Sequence, residues 1–284
     1  MTRVAITQMQ CSWDEAANLD KAEELLHKAA GEGAEIILLQ ELFANVYFCP
    51  DQNQKYFAYA HEVDGHPFLG RFASVAKELG VVCPVSFFEK SNNAYFNSLM
   101  MIDADGRQMG IYRKTHIPQG PGYEEKFYFN PGDLGFRVWD TAYGRIGAGI
   151  CWDQWFPEAA RSMAIKGADL LLYPTAIGSE PGDPGLDSSG HWQRTMQGHA
   201  AANMVALAAS NRIGHEEVAG ISMKWYGQSF IADGTGLIVA ECGDAVDAIA
   251  MADFDFAEMR RNRASWGLFR DRRPERYETI LELS

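Results

Sequence analysis

The hydrophobic pattern switches between a period of two and a period near 3.6 along most of the chain. "RVAITQM" (3–9) reads as a strand, "DEAANLDKAEELLHKAAGEG" (14–33) as an amphipathic helix ending at glycine, and "AEIILLQE" (34–41) as a buried strand, together a βαβ unit. An irregular, aromatic-rich stretch follows at about 42–66, then a helix near 67–79 and the strand "VVCPVSFFE" (81–89). Residues 97–112 read as a hairpin turned at "DADG" (103–106). The second half keeps the rhythm: "FRVWD" and "RIGAGICW" are strands around "TAYG", a helix covers about 157–167, and "ADLLLYP" (168–174) is an apolar strand. A helix at 190–202, a strand "MVALAASN" (204–211), a hairpin turned at "DGTG" (233–236) and a strand near 247–254 complete the elements.

Helices on one face of a sheet leave the other face apolar, and stacking two such sheets buries both. The pattern therefore predicts an α/β fold built as a four-layer α-β-β-α sandwich; a single sheet covered on both faces is the rival. A chain of 284 residues with 47% hydrophobic residues can bury a large core, and residues 1–284 are expected to form one domain. The Gly/Pro/Asp/Ser loop "GSEPGDPGLDSSG" (178–190) interrupts the pattern, and such loops are where binding residues tend to sit.

The formal net charge of −13 repels phosphate backbones and anionic headgroups, which makes nucleic acid and membrane surfaces poor partners. The start "MTRVAITQMQ" carries neither the basic flank nor the apolar run of a signal peptide, and no apolar stretch is long enough to span a bilayer, so a cytoplasmic location is expected. Cys11, Cys49, Cys83, Cys151 and Cys242 are odd in number, scattered and never spaced as CxxC, and the seven histidines form no HExxH or HxH pattern. The expectation is chemistry without metal or cofactor.

Three polar residues occupy matching places. Glu41 follows the run "EIILLQ", Lys114 follows the hairpin strand in "IYRKTHIP", and Cys151 ends "RIGAGI". Sites in open α/β sheets collect at the carboxyl ends of strands. A carboxylate can take a thiol proton, a lysine can stabilise thiolate and oxyanion, and a cysteine can attack. Each residue alone has an ordinary role: a small buried hydrophobe for Cys151, a cap or ion pair for Glu41, a solvated strand end for Lys114. The trio together points to thiol catalysis.

The segments "LLQELF", "YRKTHIP" and "GICWDQWFPE" are similar, in order and spacing, to the three signature segments of the nitrilase superfamily of carbon–nitrogen hydrolases, and the resemblance runs from residue 3 to about 280. It implies Glu41 as general base, Lys114 as electrostatic stabiliser and Cys151 as nucleophile. It also implies a second glutamate, placed at Glu125 in preference to its neighbour Glu124, that positions Lys114 or the hydrolytic water. The oxyanion is expected between Lys114 and the backbone N–H of Trp152. Asp153 and Glu158 are expected to be structural or helix-terminal charges, and His116, His191 and His199 structural or pocket-lining.

Segments 120–133 and 187–214 resemble the branch of that superfamily acting on a carbamoylated diamine, a small cationic carbamoyl substrate that would yield the diamine, carbon dioxide and ammonia through a thioester. Alternatives are an aliphatic amidase, a β-ureidopropionase, a carbamoyl-amino-acid hydrolase, or a catalytically silent binding homologue. A cationic substrate calls for an anion at the far end of the pocket. Glu180 is the first choice, with Asp183 and Asp187 as rivals and Tyr47, Trp152, Trp155 and His191 as walls. The resemblance further implies a homodimer, or larger assemblies built from dimers. Pairing would run through the helices after Cys151 and near 190–202, and the tail of about 260–284, with seven arginines between 260 and 276, would lie at the subunit boundary.

Overall fold

The computed structural model describes residues 1–283. Its first half contains β1 (Thr2–Gln8), α1 (Glu15–Gly31), β2 (Ile36–Leu38), α2 (Leu69–Leu79), β3 (Cys83–Ser91), β4 (Ala94–Ile102) and β5 (Gln108–Arg113). The second runs β6 (Arg137–Thr141), β7 (Gly144–Ala148), α3 (Pro157–Ile165), β8 (Leu170–Pro174), α4 (Ser189–Asn203), β9 (Ala206–Ser210), β10 (Ile213–Val218), β11 (Ile221–Tyr226), β12 (Phe230–Ala232), β13 (Ile238–Glu241), β14 (Ala248–Phe254) and α5 (Phe256–Trp266). One sheet has the order β14-β1-β2 and continues into β3-β4-β5 through a parallel bridge between Ile36 and Val82; the other has the order β13-β12-β9-β8-β7-β6.

Side-chain alternation explains the layering. On β2, Ile36 and Leu38 enter the core between the sheets with Leu170, Leu172, Ala206 and Ala208, whereas Ile37 turns outward to Leu25, Leu26 and Phe72 of the helices. On the second sheet, Leu171 and Leu207 turn outward to Met163, Trp192 and Met196 on α3 and α4. Three apolar layers therefore separate four structural ones, which is the α-β-β-α sandwich and excludes the single-sheet rival. Local chemistry marks the helix ends: Asp14 accepts the Ala17 N–H at the start of α1, and α2 stops at Gly80 in the left-handed region, φ 65°.

The structure departs from the pattern in three places. The strand read over 34–41 ends at Leu38, because the Gln40 side chain exchanges hydrogen bonds of 3.0 and 2.9 Å with the backbone of Met9 in place of the ladder. The hairpin β10–β11 is absent from the pattern because a charged residue, Glu216, faces inward and breaks its alternation. The arginine-rich tail begins as helix α5, secured by the Asp255 cap and by Arg260 and Arg263, which reach Asp169 of the same chain at 2.6 and 3.5 Å. Among the described residues no helix is long and apolar enough to cross a membrane.

Candidate active site

Lys114 is the first residue after β5, and the chain fixes it from both sides. Its N–H donates to Asn97 O at 2.8 Å, and its carbonyl accepts the Gly132 N–H at 2.8 Å. Only glycine fits at 132, since a Cβ there would lie 2.1 Å from the Arg113 carbonyl oxygen. The side chain is fully buried, and its ammonium donates to Glu41 Oε1 at 2.8 Å and to Glu125 Oε1 and Oε2 at 2.9 and 2.7 Å. Glu41 sits in the turn after β2, and Glu125 opens a short 3-10 turn. Glu124 instead meets Gln52 at 3.0 Å.

The two carboxylates differ in their remaining partners. Asn97 Nδ2 donates to Glu41 Oε1 at 2.6 Å, while Glu41 Oε2 is buried with no partner. Tyr47 OH donates to Glu125 Oε1 at 2.5 Å. Burial pushes Glu125 up to about 7, with the Lys114 ammonium opposing and the Glu41 charge adding to the rise. Burial works against the Lys114 ammonium too, but Glu125 and Glu41 outweigh it and hold the amine charged well above the usual lysine range. One ammonium between two buried carboxylates leaves a net negative charge that one proton neutralises.

Cys151 begins a 3-10 turn (Cys151–Trp155) just past β7 and holds φ at +43°, a strained conformation for a residue with a side chain. Asp153 anchors that turn to the segment carrying Lys114. Its carboxylate accepts the Ile150 N–H at 2.9 Å, the Tyr112 hydroxyl at 2.7 Å and the His116 N–H at 3.0 Å, and lies 2.7 Å from His116 Nδ1. At 149 a Cβ would fall 2.8 Å from the Tyr173 ring, so glycine allows the strand end to pass. Cys151 Sγ contacts Ala176 O at 3.5 Å. Burial, then the Glu41 charge, push the thiol well above its ordinary value, and Lys114 only partly offsets them. The lysine thus does not by itself make a thiolate.

Cys151 lines a cavity of about 380 Å³ together with Tyr123, Trp152, Trp155, Glu180 and Asp183. Among the described residues no lysine, arginine or histidine lines it. Burial and the neighbouring Asp183 charge raise the Glu180 carboxyl above its ordinary value. Asp187 is turned away to accept the Ser189 N–H at 2.9 Å. Two expected wall residues lie elsewhere. Tyr47 is fully buried behind the cavity because its hydroxyl is taken by Glu125, and His191 is exposed on α4, its ring 4.9 Å from that of Trp155. Tyr123 takes the wall position assigned to Tyr47; an aromatic residue beside "EEK" was the available signal for it. His116 stacks on Phe156 at 3.6 Å and His199 contacts the Gln154 carbonyl at 2.8 Å, both structural positions.

A buried thiol, two carboxylates and an ammonium at one end of a two-sheet sandwich fit hydrolysis of a carbon–nitrogen bond, and residues 3–264 match the family "Carbon-nitrogen hydrolase". The chain belongs to this family, the nitrilase superfamily, and is an amide-hydrolysing enzyme. It is 55% identical to the N-carbamoylputrescine amidase of Solanum tuberosum, over 100% of this chain and 96% of the relative, and 55% identical to the citrullinase of Francisella tularensis, over 98% of each. A crystal structure of a carbon-nitrogen hydrolase from Helicobacter pylori is similar with a TM-score of 0.91 and 35% identity, covering 99% of both chains.

Proposed function

We propose that the chain hydrolyses N-carbamoylputrescine to putrescine, carbon dioxide and ammonia. The observation that carries this reading is the lining of the cavity: it joins the Cys151 thiol, the rings of Tyr123, Trp152 and Trp155, and the acids Glu180 and Asp183, with no cation among the described residues. An apolar four-carbon stem ending in an ammonium suits that lining. Citrulline ends in an α-ammonium that these acids would also attract and in a carboxylate for which the lining offers no cation, which favours the diamine over the amino acid. The identity to the Solanum tuberosum amidase supports the same substrate.

Glu41 Oε2, the free oxygen, takes the Cys151 proton, and the thiolate attacks the ureido carbon. The oxyanion lies between Lys114 and the backbone N–H of Trp152, the residue after the nucleophile in its 3-10 turn. A donor of this kind is worth about 3 kcal/mol in the transition state. Collapse breaks one carbon–nitrogen bond, and the leaving nitrogen takes the proton from Glu41. Water then gives a proton to Glu41 or Glu125 and its oxygen to the thioester carbon, and the thiolate departs and is reprotonated. The second nitrogen leaves as the carbamate loses carbon dioxide. Five unpaired cysteines support a reducing compartment such as the cytoplasm.

Glu180→Gln is expected to raise KM for N-carbamoylputrescine about ten- to hundredfold, the worth of a charge-assisted contact of about 1.5–3 kcal/mol, and to change KM for uncharged carbamoyl compounds little. Because the Glu180 carboxyl titrates above its ordinary value, KM for the cationic substrate should rise as the pH falls and the carboxylate is neutralised. Steady-state kinetics on both substrate classes checks this. Equal losses on both would mean that Glu180 supports the loop without reading the amine.

The same proposal includes a homodimer built on α3, α4 and the tail, larger assemblies being multiples of it. The tail exposes Trp266, Ile280 and Leu281 at 71%, 62% and 86%, apolar surface that a partner would cover. Arg260 and Arg263 are occupied by Asp169 of the same chain, whereas Arg270 and Arg273 are exposed and pair, among the described residues, only with Asp271 and Glu275 of the tail itself. Light scattering is expected to give a dimer or a multiple of it at micromolar concentration, and a 31.6 kDa monomer would reject the assembly.

A further inference from the structure

The buried charge of Arg212 has no part in the chemistry above, and its partners assign it one. Arg212 follows β9 and is fully buried. One arm of the guanidinium donates to Glu216 Oε1 at 2.8 Å. The other donates to the carbonyl oxygens of Glu41, Leu42 and Asn45 at 3.1, 2.5 and 2.9 Å. These carbonyls belong to the turn that presents Glu41, where Leu42 is held at φ 48°, a left-handed conformation that a leucine keeps only when its surroundings impose it. Glu216 Oε2 accepts the Tyr47 N–H at 2.7 Å, and the Tyr47 hydroxyl reaches Glu125. A rigid planar fork can serve four acceptors at once; a single ammonium cannot.

We propose that Arg212 and Glu216 are a positioning pair that holds both active-site glutamates against Lys114. Arg212 acts through the main chain of Glu41, and Glu216 acts through Tyr47 on Glu125. One buried pair on the β10 side thereby sets which oxygen of Glu41 faces the thiol and keeps Glu125 on the ammonium. Stability alone does not require such a pair, since replacing a buried ion pair by apolar residues is often neutral or stabilising, whereas removing one partner is costly. Positioning and stability can therefore be separated. The inference rests on reading Glu41 and Glu125 as the acid–base groups.

The test compares Arg212→Lys, Glu216→Gln and the double variant Arg212→Met/Glu216→Leu in the full chain. It measures thermal midpoint, kinetics on N-carbamoylputrescine across pH, and the rate at which iodoacetamide labels Cys151, a readout that needs no substrate. The double variant and Arg212→Lys are expected to lose about tenfold or more in kcat with KM within about threefold, and to label Cys151 more slowly. The acid limb of the double variant, which also lacks Glu216, should move to higher pH, because a Glu125 released from Tyr47 and Lys114 keeps its proton longer. Glu216→Gln still accepts the Tyr47 N–H and should retain the most activity. A folded double variant with wild-type kcat, labelling rate and pH profile would overturn the proposal. So would failure of both Arg212 variants to fold, which would make the pair a requirement of the fold. Absence of N-carbamoylputrescine turnover in the wild-type protein would reject the substrate alone, since the labelling rates still decide the positioning role.

Discussion

Cys151→Ala is expected to abolish turnover while leaving the thermal midpoint nearly unchanged. Removing the nucleophile of a catalytic triad costs on the order of 10⁶-fold in kcat. Alanine keeps the Cβ and hence the same strain at φ +43°, and it loses only a sulfur whose one polar contact is the Ala176 carbonyl. Cys151→Ser should be almost as inactive, because a hydroxyl is harder still to deprotonate in a site that already pushes a thiol well above its ordinary value. Iodoacetamide should label Cys151 before the others. Burial and a raised value are common to Cys151, Cys11, Cys49 and Cys83; what sets Cys151 apart is that it lines the cavity, where a reagent can enter and Glu41 can take its proton. Either variant retaining a large share of wild-type rate, or mass mapping that finds another cysteine alkylated first, would remove Cys151 from the role of nucleophile.

What was legible in the sequence was whatever local pattern determines. Glu41, Lys114 and Cys151 could be singled out because each follows an apolar strand run, and the sandwich followed from strands that alternate and helices with one apolar face. The groups that complete the site were not legible, because nothing local distinguishes them. Asn97 is one polar position in a hairpin strand, and its role appears only when Glu41, 56 residues away, closes on it. Arg212 finds its acceptors about 170 residues earlier. Sequence offers Tyr47 as a wall because aromatic side chains usually present a face; in the fold its hydroxyl matters instead, and it is bound to Glu125. Helix α5 has no apolar stripe for periodicity to find, and a cap and two arginines on Asp169 hold it in its place.

Lys114→Met is expected to cost activity and stability together, by separate routes. Loss of an oxyanion donor lowers kcat by about 10²–10³-fold. Loss of the ammonium leaves Glu41 and Glu125 buried against each other without a cation, and breaking a buried pair in this way destabilises by about 3–5 kcal/mol. The sign of the pH dependence follows from Glu125. With Lys114 present its carboxyl already stands at about 7 against an ordinary 4.5, and without Lys114 it rises further. A carboxyl whose folded value lies above its unfolded one binds more protons folded than unfolded, so stability is full below the unfolded value and is lost as the pH rises through the folded one. Relative to wild type, the deficit of Lys114→Met should therefore be level from about pH 5 to about pH 7, where both folded proteins hold the Glu125 proton, and widen from there toward about pH 9. Adding Glu125→Gln removes one of the uncompensated charges and should return most of the stability with none of the activity. Denaturant titrations of the three proteins across that range measure it. A deficit independent of pH, or one that Glu125→Gln leaves untouched, would mean that the ammonium is not what allows two carboxylates to share this site.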